Sequence, residues 1–239
     1  MRDGFYRGYR FPIEIIRHCV WLYYRFSLSL RDISEMMAYR GLAVSQETVR
    51  QWGLDFTMEY ANKIRRIKPK PGSTWHLDEV FLKINGEQVY LWRAVDEHAE
   101  ELDIFLSKKR DKKAAKCFFK KLLNNLEYTP KRIVTDKLRS YSAAKKEIMP
   151  DVPHIQDKGA NMRAENSHGR RRVRHVRKRE RHLQKFKSLV HARRFLPAYC
   201  QIRCFFSRRR HLYSAQEYRE LLSNKFNAWN EMSNFKTAA

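Results

Sequence analysis

Three acidic residues of this chain stand where carboxylates can act together. Asp78 lies in the strand-like stretch STWHLDEVFLKI, Asp136 closes the short apolar run RIVTD, and Glu165 precedes a dense run of arginines in NMRAENSHGRRRVRHVRKRER. Grouped carboxylates repel one another, so such a cluster is stable mainly with divalent cations between its members. A pair of Mg²⁺ ions held that way can activate a hydroxyl nucleophile, stabilise a leaving oxygen and fix the in-line geometry of a phosphodiester. Glu165 is the informative member. A glutamate among arginines is ordinarily half of a helical ion pair, yet its neighbours three and four positions away are Asn161, Met162, His168 and Gly169, none of them lysine or arginine. An acid that holds metal, among bases that hold phosphate, accounts for the pattern. Taken singly, each acid has a plainer role as a turn, cap or solvated residue, and Glu79, Asp96, Asp103, Asp151 and Asp157 have equal chemical merit.

The composition points to the same kind of partner. Fifty Lys and Arg against 26 Asp and Glu give a net charge of +24 over 239 residues, which calls for a polyanion and says nothing of the fold. Nucleic acid is favoured over a membrane surface, because no apolar run approaches the ~18 residues of a spanning helix and MRDGFYRGYRF has no secretory leader's apolar stretch. Cys19, Cys117, Cys200 and Cys204 form no Cys-x-x-Cys pair and read as ordinary thiols of a reducing, cytoplasmic compartment. His168, His175 and His182 recur every seven residues, but side chains two helical turns apart, roughly 10 Å along the axis, cannot share one ion.

The elements that must position the acids follow from periodicity. Residues 13–25 and LRDISEMMAYRG have helical spacing, the second segment ending on Gly41. A third helix opens at Ser45, a good N-cap, and runs SQETVRQWGLDF, placing Gln46, Arg50 and Gln51 as candidates to read base edges. Two short helices joined by GLAV read as a helix-turn-helix, with a plain three-helix bundle as the alternative. The segment 63–74, KIRRIKPKPGST, is basic and rich in Pro and Gly, suiting a linker. Beyond it come STWHLDEVFLKI, EQVYLWRAV and ELDIFLS, the first two joined by Asn85-Gly86, a strong hairpin signal. A helix in DKKAAKCFFKKLLNNLE, a strand in RIVTD, a helix in RSYSAAKKEIM, a strand in VPHIQD and a helix from about Arg163 complete the order βββαβαβα. That order specifies an α/β domain with a mixed sheet. The expected division is 1–65 helix-turn-helix, 66–74 linker, 75–205 catalytic domain and 206–239 a helical tail that packs or dimerises.

WHLDEVFLKINGEQVYLWRAVDE, VTDKLRSY and NMRAENSH resemble the three catalytic segments of bacterial insertion-sequence DDE transposases of the insertion-sequence-six family. FYRGYRFPIEIIRHCVWLYYRFSLSLRDISEMM is similar to that family's amino-terminal helix-turn-helix, so the likeness spans nearly the whole chain. It implies a ribonuclease-H-like, integrase-like catalytic domain with Asp78, Asp136 and Glu165 as catalytic and metal-holding acids, and Arg172 as the basic residue seven positions beyond the glutamate. Arg170 and Arg171 join Arg172 as expected DNA contacts. Twenty-eight residues, 137 to 164, separate the second and third acids, fewer than in many DDE enzymes.

The resemblance implies binding of double-stranded DNA at terminal inverted repeats, 3′-end cleavage and joining to target DNA with a replicative, cointegrate outcome. Two Mg²⁺ or Mn²⁺ ions are the implied cofactor. A homodimer or larger synaptic assembly is expected because two ends must be held together, and a nucleoid-associated cytoplasmic location follows from the substrate. Two other readings stay open: a helix-turn-helix regulator with an inactive integrase-like domain, and a structure-selective nuclease of the same fold without joining activity.

Overall fold

The computed structural model describes residues 6–67, 71–98, 100–157, 159, 179, 186–207 and 213–233. Their contacts divide the chain into two compact units, Met1–Lys68 together with Ala198–Ala239, and Pro69–Pro197.

The first unit is helical. Helices α1 (Ile13–Arg25), α2 (Leu30–Tyr39) and α3 (Gln46–Ile67) follow the apolar spacing of the sequence. Ser29 and Asp32 start α2 with a reciprocal capping box, the Asp32 amide donating to Ser29 Oγ at 3.0 Å and the Ser29 amide to Asp32 Oδ2 at 2.7 Å. Gly41, at φ +75°, turns the chain after α2, where a side chain would be strained. Ser45 Oγ then accepts from the Thr48 amide at 3.1 Å and opens α3. Ile16, Val20, Ile33, Met37, Val49, Trp52 and Phe56 form the buried interior.

Helix α3 continues through Lys63–Ile67, so the first five residues of the segment read as linker belong to a helix. Its cause is tertiary. Ile64 is buried, Tyr60 stacks edge-on against Trp229 at 5.0 Å, and Lys63 Nζ donates to the Met232 carbonyl at 2.9 Å. Trp229 and Met232 belong to the final helix, Ala215–Ser233, here α7, which packs against the amino-terminal helices. Helix α6, Leu189–Phe206, precedes it and carries Pro197, the residue at which the two units divide. Among the described residues no helix is long and apolar enough to cross a membrane.

The second unit is a five-stranded mixed sheet with the order β3-β2-β1-β4-β5. Its strands are β1 (Thr74–Ile84), β2 (Glu87–Asp96), β3 (Glu101–Ser107), β4 (Arg132–Thr135) and β5 (His154–Gln156), with α4 (Lys112–Leu126) and α5 (Arg139–Ile148) between the later ones. The first three strands form an antiparallel meander, while β4 and β5 run parallel to β1. Asn85 and Gly86, at φ 52° and 83°, close the β1–β2 hairpin, as a two-residue turn with both φ positive requires. Trp75, Leu77, Trp92, Ala94 and Ile133 of the sheet pack on Phe118, Phe119 and Leu122 of α4 and on Tyr141 and Ala144 of α5. This is the expected α/β, ribonuclease-H-like architecture, preceded by helices.

Candidate active site

Strands β1 and β4 are neighbours, and their parallel register pairs Leu77 with Thr135. Asp78 and Asp136 follow that pair, so the two aspartates stand side by side, Asp136 just past the carboxyl end of β4 and Asp78 within β1, which runs on to Ile84. Asp136 thereby stands at the carboxyl end of its strand, where open α/β sheets place functional groups.

Each aspartate meets an arginine. Asp78 lies directly across the hairpin from Arg93, whose Nε and Nη2 donate to its two carboxylate oxygens at 3.0 and 2.7 Å. The side chains of Arg93 and Asp78 are only 6% and 20% exposed. This is a forked, charge-assisted pair in a poorly hydrated place. Asp136 is more open at 36%, its Oδ1 accepting from the Leu138 amide at 3.0 Å and its Oδ2 standing 3.7 Å from Arg110 Nη2.

Strand alternation turns Glu79 to the opposite face from Asp78, into the row of Trp75 and Leu77. Its side chain is 6% exposed and bonded to Arg110. Burial raises the Glu79 carboxyl above its ordinary range, the nearby Asp136 charge raises it further, and Arg110 pulls it back. Tyr141, fully buried in α5, has its phenol pushed well up by burial and by the charges of Glu79, Asp78 and Asp136. All three acids therefore lie within electrostatic reach of one hydroxyl. Tyr141 and Glu79 are close enough to perturb each other, yet neither the hydroxyl nor Glu79 Oε2 completes a hydrogen bond of good geometry among the described residues. Behind Asp136, Thr135 Oγ1 donates to the Asp136 carbonyl at 2.6 Å and meets His154 Nε2 at 2.8 Å, tying β4 to β5. Burial, then the Lys145 charge, lowers the affinity of His154 for a proton.

Of the residues singled out in the sequence, Asp78 and Asp136 are brought together, while Glu165, Arg170, Arg171 and Arg172 lie outside the described residues, as do His168, His175 and His182. Among the described residues no three His, Cys, Asp or Glu side chains gather to hold an ion. The other acids separate by role. Asp96 accepts from the amides of Gly72, His98 and Glu100. Asp103 is buried and bonds Lys121 and Asn125 at 2.9 and 2.6 Å. Asp157 accepts from the Gly159 amide, and Asp151 is exposed. In the helical unit Gln46, Arg50 and Gln51 are all exposed on α3. Arg50 Nε pairs with Glu47 at 2.8 Å, and the Gln51 amide donates to Asp55 at 2.8 Å. Sequence reasoning missed Arg93, Arg110 and Tyr141.

Comparison with known proteins agrees with this geometry. Residues 72–210 match the DDE domain family of IS240-type transposases. The transposase for the insertion sequence-like element IS431mec of Staphylococcus aureus strain N315 is 33% identical over 181 residues, covering 72% of this chain and 78% of that protein. The transposase for insertion sequence element IS257 in transposon Tn4003, also from Staphylococcus aureus, aligns with the same identity and coverage. Protein pYV0051 of Yersinia pseudotuberculosis is 40% identical over 81 residues, 33% of this chain and 76% of that protein. A family match over more than half of the chain, and transposase relatives alike over most of its length, leave one conclusion: the chain belongs to the insertion-sequence-six family of DDE transposases.

Proposed function

We propose that this chain binds the terminal inverted repeats of an insertion sequence, hydrolyses one strand at each 3′ end, and joins the freed 3′-hydroxyl to target DNA by a replicative route that leaves a cointegrate. The observation that carries the reading is the emergence of Asp78 and Asp136 from adjacent parallel strands at one register.

Asp78, Asp136 and Glu165 are the residues that would hold Mg²⁺ or Mn²⁺. The donor set fits: carboxylate oxygens are the hard ligands these ions select, and Asp136 is partly open, its Oδ2 3.7 Å from Arg110 Nη2. Two ions so held supply activation of the attacking hydroxyl and stabilisation of the leaving oxygen. The protein's own groups do the rest. Gln46, Arg50 and Gln51 stand exposed on the second helix of a helix-turn-helix, where Arg50 pairs with Glu47 and Gln51 with Asp55 until base edges replace those acids. Arg170, Arg171 and Arg172 grip the DNA backbone beyond Glu165. A homodimer or larger assembly holds two ends at once, in the nucleoid of the cytoplasm.

The test is joining of a pre-cleaved donor end bearing a free 3′-hydroxyl. D78N, D136N and E165Q each abolish joining and 3′ cleavage while end binding stays within about twofold, since phosphate contacts come from other residues. A variant that joins ends at the wild-type rate refutes the assignment of that acid. A wild-type protein that nicks ends but never joins them is a nuclease instead.

A further inference from the structure

Glu79 is out of place. Trp75 and Leu77 precede it on the same face of β1, both fully buried against α4 and α5, and its cross-strand partner Trp92 is buried as well. A carboxylate continuing that row is costly unless a cation meets it. The cation is Arg110, which arrives from the β3–α4 connection one residue before Asp111, the N-cap of α4.

Arg110 is held at both ends. Glu79 anchors the guanidinium, and the Ser140 hydroxyl, in the first turn of α5, donates to the Arg110 backbone carbonyl at 3.3 Å. One nitrogen, Nη2, serves both Glu79 and, at 3.7 Å, the edge of Asp136. Nε and Nη1 have no acceptor among the described residues, and the side chain is 40% exposed. The result is a fixed, half-exposed guanidinium with unused donors beside a catalytic aspartate. Arg93 does not fill the same role, because it is almost wholly buried and its Nε and Nη2 face Asp78. DNA approaching Asp78 and Asp136 meets like charge, and a half-exposed guanidinium beside Asp136 offsets that repulsion while its free Nε or Nη1 donates to a phosphate oxygen.

We propose that Arg110 grips a phosphate of the DNA next to the reacting bond, and that buried Glu79 is the positioning residue that fixes its guanidinium. The proposal deepens the transposase reading and rests on it.

The experiment uses the full chain, a pre-cleaved donor end, target DNA and Mg²⁺. R110A is expected to slow joining about 10–100-fold at saturating DNA, the loss of one charged hydrogen bond, with R110K recovering part of the rate. E79Q, which keeps the shape of the side chain, slows joining less than R110A, and E79Q combined with R110A is no slower than R110A alone, because Glu79 acts through the arginine. A scan of single methylphosphonates through the phosphates flanking the joined bond gives a readout that a structural role would not move. At the gripped position the neutral linkage slows the wild type to the R110A rate and leaves R110A unchanged. Should R110A fail to fold, by its urea midpoint, the same scan comparing wild type with R110K decides. R110A joining as fast as wild type, independent effects in the double variant, or no position that equalises the rates overturns the proposal. A wild-type protein unable to join the pre-cleaved end overturns the transposase reading and this inference with it.

Discussion

Replacing Asp78 and Asp136 separately by asparagine should reveal that the two acids, equal in chemistry, are unequal in stability. Neighbouring carboxylates with nothing between them repel, and on that ground alone either substitution should stabilise the protein. The arginines reverse the expectation for one of them. Asp78 accepts two charge-assisted bonds from Arg93 at 3.0 and 2.7 Å, in a pair whose members are 20% and 6% exposed. Asparagine offers one acceptor oxygen and no charge, so D78N loses one bond, weakens the other and leaves a buried guanidinium less well met. A loss of about 1.5–3 kcal/mol follows. Asp136 keeps its bond from the Leu138 amide when it becomes asparagine, and its approach to Arg110 is long and partly solvated. D136N should therefore fall within about 0.5 kcal/mol of wild type. For a unit of this size the D78N loss is a shift of roughly 5–10 °C in its unfolding temperature. Urea unfolding, with hydrogen exchange of the β1 and β2 amides to isolate the sheet from the helical unit, measures both. Equal losses, or a D78N protein as stable as wild type, would refute the claim that Arg93 holds Asp78 in the folded chain.

Other perturbations have equally definite outcomes. His154 is held neutral by burial, so its contribution to stability is full above its ordinary value of 6.5 and is lost as pH falls through its lowered folded value; a His154→Gln variant should flatten the stability profile below about pH 6.5, as acid titration by circular dichroism would show. At Gly72 an added Cβ would stand 2.3 Å from Glu97 Oε2, the carboxylate that accepts from the Ser73 and Thr74 amides, so Gly72→Ala should cost about 1–2 kcal/mol in urea unfolding, and a stability equal to wild type would deny that clasp any role. For DNA-end recognition, Arg50→Ala in the full chain should cost about 1–3 kcal/mol of preference for the terminal repeat over random duplex, and an unchanged preference in competition footprinting would move specificity elsewhere.

That last test uses the full chain because the amino-terminal unit is not contiguous in sequence. Tyr6 bonds both the Tyr60 hydroxyl at 2.6 Å and the Ser233 carbonyl at 2.8 Å, and Trp21 packs against Phe226 at 5.3 Å. Cutting after residue 70 would strip α7 from these rings. None of this is local information. Helix periods, the Ser45 cap and the Asn85-Gly86 turn are written within a few residues of where they act, and each is read correctly from the sequence. The length of α3 depends on Trp229 and Met232, more than 160 residues away, and local composition pointed the other way at Lys63–Ile67.

The candidate site divides along the same line. A two-residue turn at Asn85-Gly86 pairs Ile84 with Glu87, and counting six residues outward along each strand pairs Asp78 with Arg93, as the sheet has it. The arginine that meets the first aspartate was therefore implicit in the sequence once the hairpin had been read. Alternation along β1 likewise sends Glu79 to the face of Trp75 and Leu77, where its charge demands a partner. The sequence poses that demand without saying what answers it. Arg110 does so from a connection whose path depends on how β3 and α4 pack, and Tyr141 completes the surroundings from the helix after Asp136. What is legible is each acid's face and register; the cation that meets it is legible only when one hairpin fixes both.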